Sequence, residues 1–132
     1  MGYLGSAALG VIGYVGAQFV LKPISELRNT REAIAKSLVL FANADTMSTP
    51  DEPRVIEARG NYRELASTLI AQANSIPLYS TWSYLKIIPS FKDIETARAN
   101  LIGLSNSVGV EGQGLDNGRR QQNIERVLRL KT

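Results

Sequence analysis

The first 21 residues of the chain contain no charged side chain, and no other segment constrains the fold as strongly. An α-helix rises about 1.5 Å per residue, so this segment would be roughly 31 Å long, which is the thickness of a bilayer's hydrocarbon core. It ends at Lys22 and Pro23, residue types that suit a membrane boundary. The sequence therefore predicts a transmembrane helix over residues 1–22.

Two other interpretations of this segment are a cleaved signal peptide and a buried helix of a soluble domain. A signal peptide normally carries basic residues before its apolar stretch, and none is found here. A helix buried in a soluble protein is disfavoured by five glycines, each of which costs roughly 1 kcal/mol relative to alanine. The transmembrane helix is therefore the preferred prediction.

The glycines of this segment share one face of the predicted helix. At about 100° per residue they fall within an arc of about 140°. Small residues on one face let a second helix approach closely in lipid, although glycine is also common in membrane helices generally. We predict an intramembrane contact with another helix, from a second copy or a different subunit, through Gly2, Gly5, Ser6, Gly10, Gly13, Gly16 and Ala17.

The distribution of positive charge predicts an orientation for this helix. Only Met1 precedes the glycine-rich stretch, whereas Lys22, Arg28 and Arg31 follow it. Basic residues concentrate on the cytoplasmic side of a membrane helix. We therefore expect the N-terminus outside and a helical domain, residues 23–108, in the cytoplasm.

The remainder of the chain has the apolar periodicity of helices. Apolar residues recur at intervals of three, four or seven in segments 23–44, 54–76 and 90–108, with Ser90 as a predicted N-cap and Gly109 as a helix stop. The fold class is therefore predicted to be all-α: the membrane helix, then a small bundle of three to four helices and a basic C-terminal tail. Its core should contain Ile24, Leu27, Ile34, Leu38, Phe41, Val55, Tyr62, Leu65, Leu69, Ala73, Ile76, Ile94, Ala97, Leu101, Leu104 and Val108.

An aromatic cluster lies between Pro77 and Pro89. Its rings could fill the core of a small domain, with Trp82 as the anchor, or lie at the headgroup region of a membrane. We favour the core, and we keep Trp82 and Tyr84 as possible lipid-surface contacts.

The excess positive charge is confined to the C-terminus. Residues 119–132 carry five basic side chains and one acidic one, whereas residues 22–118 carry ten basic and eleven acidic ones. The glycine-rich segment 109–118 predicts a flexible linker before a basic amphipathic tail, in which residues 119–130 could form a last helix with Ile124, Val127 and Leu128 on its apolar face. That tail could be solvated, bind anionic lipid, bind another protein or, least consistent with its composition, bind nucleic acid. The possible lipid-surface contacts are Arg119, Arg120, Arg126, Arg129 and Lys131.

The chain contains no cysteine and no histidine. This excludes disulfides, catalytic thiols and Ser-His-Asp relays, and it excludes the usual zinc, haem and iron–sulfur sites. The carboxylates form no known catalytic pattern, and no phosphate-binding loop is present. We expect no enzymatic activity, no cofactor or metal, no small-molecule substrate and no nucleic-acid partner.

Residues 20–37 resemble the first helix of a HAMP domain, the signalling relay that follows a membrane helix. The matching features are Pro23, Ile24, Leu27 and the Ala-Ile-Ala run at 33–35, with a fainter match at 63–66. The Gly-Asp that usually follows the first HAMP helix is absent. The resemblance implies a relay acting in a parallel homodimer.

The chain also resembles a group of small uncharacterised bacterial membrane proteins with a single span. The shared features are Pro23-Ile24 with Glu26 and the segments 40–43, 63–66, 76–79 and 101–107. This resemblance implies a bacterial inner-membrane location, and the group has no known activity that could be transferred to this chain. The predicted function is a non-enzymatic scaffold or accessory subunit of a membrane complex, acting through helix–helix association, with the HAMP-like relay as the alternative.

Overall fold

A computed structural model describes residues 2–41, 52–110 and 112–130, with the backbone alone for residues 2–9 and 12. Within these ranges it contains five α-helices and no strand, which confirms the all-helical prediction. The helices are α1 (Gly2–Leu40), α2 (Pro53–Ser75), α3 (Tyr79–Tyr84), α4 (Phe91–Ser107) and α5 (Gly114–Leu128).

Helix α1 joins two segments that the sequence predicted to be separate. Its 39 residues span about 59 Å at the rise of an α-helix. Pro23 lies inside it and cannot donate a hydrogen bond to the Phe19 carbonyl, yet the helix continues. The boundary expected at Lys22-Pro23 is therefore not a break in the helix.

The prediction of a transmembrane helix over residues 1–22 is wrong. Among the residues that the structure describes, no helix combines the length and the apolar character needed to cross a membrane. The prediction treated a segment without charged residues as if it were apolar throughout. Glycine has almost no side chain to transfer into lipid, and Tyr14 and Gln18 carry polar groups. The predicted location and orientation depended on that span and stay untested predictions.

The C-terminal half of α1 packs into a four-helix bundle with α2, α4 and α5, in which α2 contacts α1 and α4, and α4 contacts α5. Helices α1 and α2 are antiparallel: Arg54 of α2 donates to the Leu40 carbonyl, and Thr30 donates to Gln72. All the predicted core residues are buried except Leu65, which is half-buried. The periodicity of the sequence therefore identified the core correctly.

Helix α4 has the two ends that the sequence predicted. The Ser90 hydroxyl accepts a hydrogen bond from the Asp93 amide at 3.1 Å. Gly109 follows the helix with φ of +76°, and a Cβ there would lie 2.7 Å from Cγ1 of Val55. Only glycine fits this position without strain or a clash.

Arginines from one helix cap the C-terminal ends of others. Arg54 donates to the Leu40 carbonyl at the end of α1. Arg59 donates to the Val108 carbonyl after α4, at 3.1 Å from Nη2, and Arg31 of α1 donates to the Leu128 carbonyl of α5. Each cation meets carbonyls that have no partner within their own helix.

The C-terminal segment differs from the predicted linker and tail. Helix α5 begins at Gly114, inside the predicted linker, and packs against α4. Ile124 and Leu128 are fully buried, and so is Asn117. Although this segment is rich in charge, its apolar residues have the spacing of one helical face and complete the core.

Candidate association surface

The N-terminal part of α1 extends beyond the bundle. Val20 is the first of the described side chains to pack against the core, and every residue at 10–19 whose side chain is described is exposed. A Cβ added at Gly10, Gly13 or Gly16 would meet no atom within 4 Å. We call residues 10–19 the α1 extension.

One face of the α1 extension carries bulky apolar side chains. Val11, Val15 and Phe19 are four residues apart and therefore lie along one side of the helix, with Tyr14 beside them. Their exposed fractions are 63, 58, 70 and 68% for Val11, Val15, Phe19 and Tyr14. No site was predicted on this face, although the four-residue spacing of its apolar residues is present in the sequence.

The opposite face of the α1 extension is the N-terminal continuation of the face that packs into the bundle. At about 100° per residue, Gly16 lies about 20° and Gly13 about 40° around the axis from Leu27. Leu27 is fully buried. The stripe that is filled by leucine and isoleucine within the bundle is thus occupied by glycine beyond it.

A groove lies where the α1 extension meets the bundle. Helix α2 ends at Ser75, which borders the groove, and nothing in the described chain continues α2 along the α1 extension. The groove has a volume of about 400 Å³. It is lined by Tyr14, Val15, Gln18, Phe19, Lys22, Pro23 and Ser75.

The residues predicted to make an intramembrane contact lie on this extension and N-terminal to it. Gly10, Gly13, Gly16 and Ala17 are exposed and helical. The surroundings of Gly2, Gly5 and Ser6 fall outside the described side chains. The four described residues share one side of α1.

The aromatic cluster is divided between core and surface. The half-buried Trp82 donates from Nε1 to the Pro77 carbonyl at 2.9 Å, and Tyr79 donates to the Pro89 carbonyl at 2.6 Å. Burial raises the pKa of the Tyr79 phenol to about 12, against the nearby positive charge of Arg31, which lowers it. Tyr84 is 85% exposed. Tyr84 alone of these three keeps the exposure that a surface contact requires.

The basic residues predicted as a lipid-contact cluster are not equivalent. Arg119, Arg126 and Arg129 are exposed on or just after α5. Arg120 is half-buried and donates from Nη1 to Asn117 Oδ1 at 2.7 Å and to Ser107 Oγ at 3.0 Å. Lys131 lies outside the described residues. Arg120 is therefore part of a polar network that joins α5 to α4.

A polar groove between α1 and α2 brings two carboxylates to one region. Glu26 and Glu64 line it, both at exposed positions, and its volume is about 390 Å³. The Asn61 Oδ1 atom is buried there and has no hydrogen-bond partner among the described residues. Within the described ranges, no three acidic, histidine or cysteine side chains are grouped as metal ligands. Of the described hydroxyls that line the groove, that of Thr30 donates to the side chain of Gln72 and not to a carboxylate.

Comparisons of the chain with protein families, with curated protein sequences and with solved structures give no match. The two resemblances noted in the sequence therefore receive no support from outside the chain.

Proposed function

We propose that this protein is a non-enzymatic scaffold or accessory subunit that binds a helix of a partner along its α1 extension. The observation that carries the proposal is the exposure of the α1 extension on all described sides. An isolated helix of this size is marginal in water, so most helices are stabilised by tertiary packing. A partner helix would supply the packing that α2 supplies to the rest of α1.

One face of the α1 extension carries the small residues Gly10, Gly13, Gly16 and Ala17, and we call it the small face. This face suits such a partner. Gly13 and Gly16 lie within about 40° of Leu27 around the helix axis, and Leu27 is fully buried in the bundle. Small residues permit the axes of packed helices to approach the short end of the usual range, roughly 8–10 Å. A partner helix on this side would extend the four-helix packing beyond the end of α2 at Ser75.

The packing of the bundle supports this role over the HAMP-like relay. A relay requires the apolar stripe of its first helix at a homodimer interface that changes packing. In this chain the corresponding residues, including Ile24, Leu27 and Ile34, are already buried within a single copy. The α1 extension, by contrast, has unoccupied surface.

The proposal is tested by adding bulk to the small face. In the full chain, Gly13→Leu with Gly16→Leu fills the proposed contact, and neither added Cβ meets an atom of the monomer. Inserting bulk into a packed contact costs about 1–3 kcal/mol, so we expect roughly tenfold or greater loss of association. The matched control is Val11→Leu with Val15→Leu on the opposite face.

The readout is quantitative co-purification of crosslinked partners, together with sedimentation of the purified chain to detect self-association. Selective loss in the glycine pair supports the proposal, and the identity of the partner then distinguishes a second copy from another subunit. If both pairs associate as the unmodified chain does, the small face binds nothing and the proposal fails.

A further inference from the structure

A groove with three arginines lies between the middle of α1 and the C-terminal end of α5. Its volume is about 330 Å³. Glu32 also borders it, so its charged side chains sum to a net charge of +2. The lining residues are Arg28, Arg31, Glu32, Ala35, Arg129 and Leu130.

Arg31 is fixed in this groove by the backbone of α5. Its Nε donates to the Leu128 carbonyl at 3.1 Å, and its Nη2 donates to the same oxygen. Two bonds from one guanidinium to one atom hold the orientation of its plane. A planar donor group held in this way does not lose side-chain entropy when a ligand arrives.

Arg129 is positioned by the end of α5. Its backbone has a φ of 54°, in the left-handed region, and its amide donates to the carbonyls of Arg126 and Glu125. This conformation ends α5 and places Arg129 at the groove that Arg31 also lines. Arg28, one turn before Arg31 on α1, completes the set.

The positive charge in the groove is poorly compensated by the protein. The pKa of Arg31 is lowered by burial first, then by the charges of Arg129 and Arg28. Among the described residues, Tyr79 alone acts in the opposite direction, and no described carboxylate is among the influences. Capping the end of α5 requires one arginine, whereas the other two add repulsion that a bound anion would relieve.

From this geometry we infer that the groove between α1 and α5 binds a phosphate group through Arg28, Arg31 and Arg129. Guanidinium groups match phosphate oxygens in both charge and geometry, with paired hydrogen bonds. The phosphate belongs either to a free anion or to a phospholipid headgroup. This site is separate from the α1 extension and does not depend on the proposed function.

The test uses the full chain and two probes: inorganic phosphate, and vesicles of phosphatidylglycerol in phosphatidylcholine. Arg28→Gln with Arg129→Gln removes two charges and leaves the bonds from Arg31 to Leu128 in place. Arg119→Gln with Arg126→Gln is the matched control, because it removes two exposed charges outside the groove. Thermal unfolding of each variant verifies the fold.

Binding is measured by calorimetry and by the NMR signal of the Arg31 Nε–H, and for vesicles by co-sedimentation. We expect the Arg28/Arg129 pair to weaken binding by roughly tenfold or more, as for lost charge-assisted hydrogen bonds, and the control pair by less than about twofold. Selective loss with inorganic phosphate identifies a free anion, and selective loss with vesicles alone identifies the headgroup. Equal losses in the two pairs, or no binding of either probe by the unmodified chain, would overturn the inference.

Discussion

The two halves of α1 have the same secondary structure and opposite surroundings. From Val20 onward one stripe of its apolar residues packs into the core, and Leu27 and Ile34 of this stripe are fully buried. In the α1 extension, Phe19 and Val15 are as apolar but remain exposed. The comparison shows that helix formation and burial have different causes: the first is local, and the second requires an opposing surface.

The small face of the α1 extension sharpens this difference. It continues the buried face of the same helix, but its glycines offer almost no apolar area to bury. A stripe of glycine contributes only when another helix approaches closely. The glycines of the α1 extension would therefore contribute to stability only in contact with a partner helix.

The largest expected difference is between deletions of the two ends of the chain. Removing residues 114–132 exposes the α4 face that Ile124 and Leu128 cover, at a cost of several kcal/mol, comparable with the total stability of a small domain. Removing residues 2–17 should leave the bundle intact. The unfolding of both deletion variants in urea is followed by circular dichroism. A cooperative transition in the C-terminal deletion, or its loss in the N-terminal one, would contradict the division between bundle and extension.

A pair of truncations to alanine tests the same division within α1. Leu27→Ala leaves a cavity in the core and should lower the free energy of unfolding by about 2–5 kcal/mol. Val15→Ala should change it by less than about 0.5 kcal/mol, because Val15 is exposed. Equal effects at the two positions, measured by urea unfolding, would show that the α1 extension is packed.

Substituting glycine by alanine gives a smaller contrast. At Gly109 alanine must adopt a φ of +76° and meets Val55, so we expect a loss of about 2–3 kcal/mol. At Gly13 alanine meets nothing, and global stability should stay within about 0.5 kcal/mol. Thermal unfolding of the two variants measures this difference. If Gly109→Ala leaves the stability unchanged, the tight contact with α2 is refuted.

The smallest expected effect is the dependence of stability on alkaline pH. Burial raises the pKa of Tyr79 from 10.0 to about 12, so its contribution to stability is complete below pH 10 and lost as pH rises towards 12. The free energy of unfolding of the Tyr79→Phe variant should therefore decline less over this pH interval than that of the unmodified protein. Tyr14→Phe, in the α1 extension, should follow the unmodified protein. The idea is wrong if the two variants have the same pH profile.

Much of the bundle was predictable from the sequence because its signals are local. The spacing of Ile94, Leu101 and Leu104 defines one buried face, Ser90 accepts the predicted capping bond, and Gly109 ends α4. The candidate surfaces were less predictable. The groove of Arg28, Arg31 and Arg129 joins residues about 100 positions apart, so no spacing in the sequence could indicate it.

By itself, the sequence determined the helical class, the buried stripes and the ends of α4, because periodicity, capping and backbone strain act over a few residues. The tertiary structure alone decided which stripes have a partner. It placed α5 against α4 although the segment reads as a charged tail, and it left the α1 extension uncovered although that segment is free of charge. Burial depends on the geometry of a facing surface, which hydropathy along one segment does not contain.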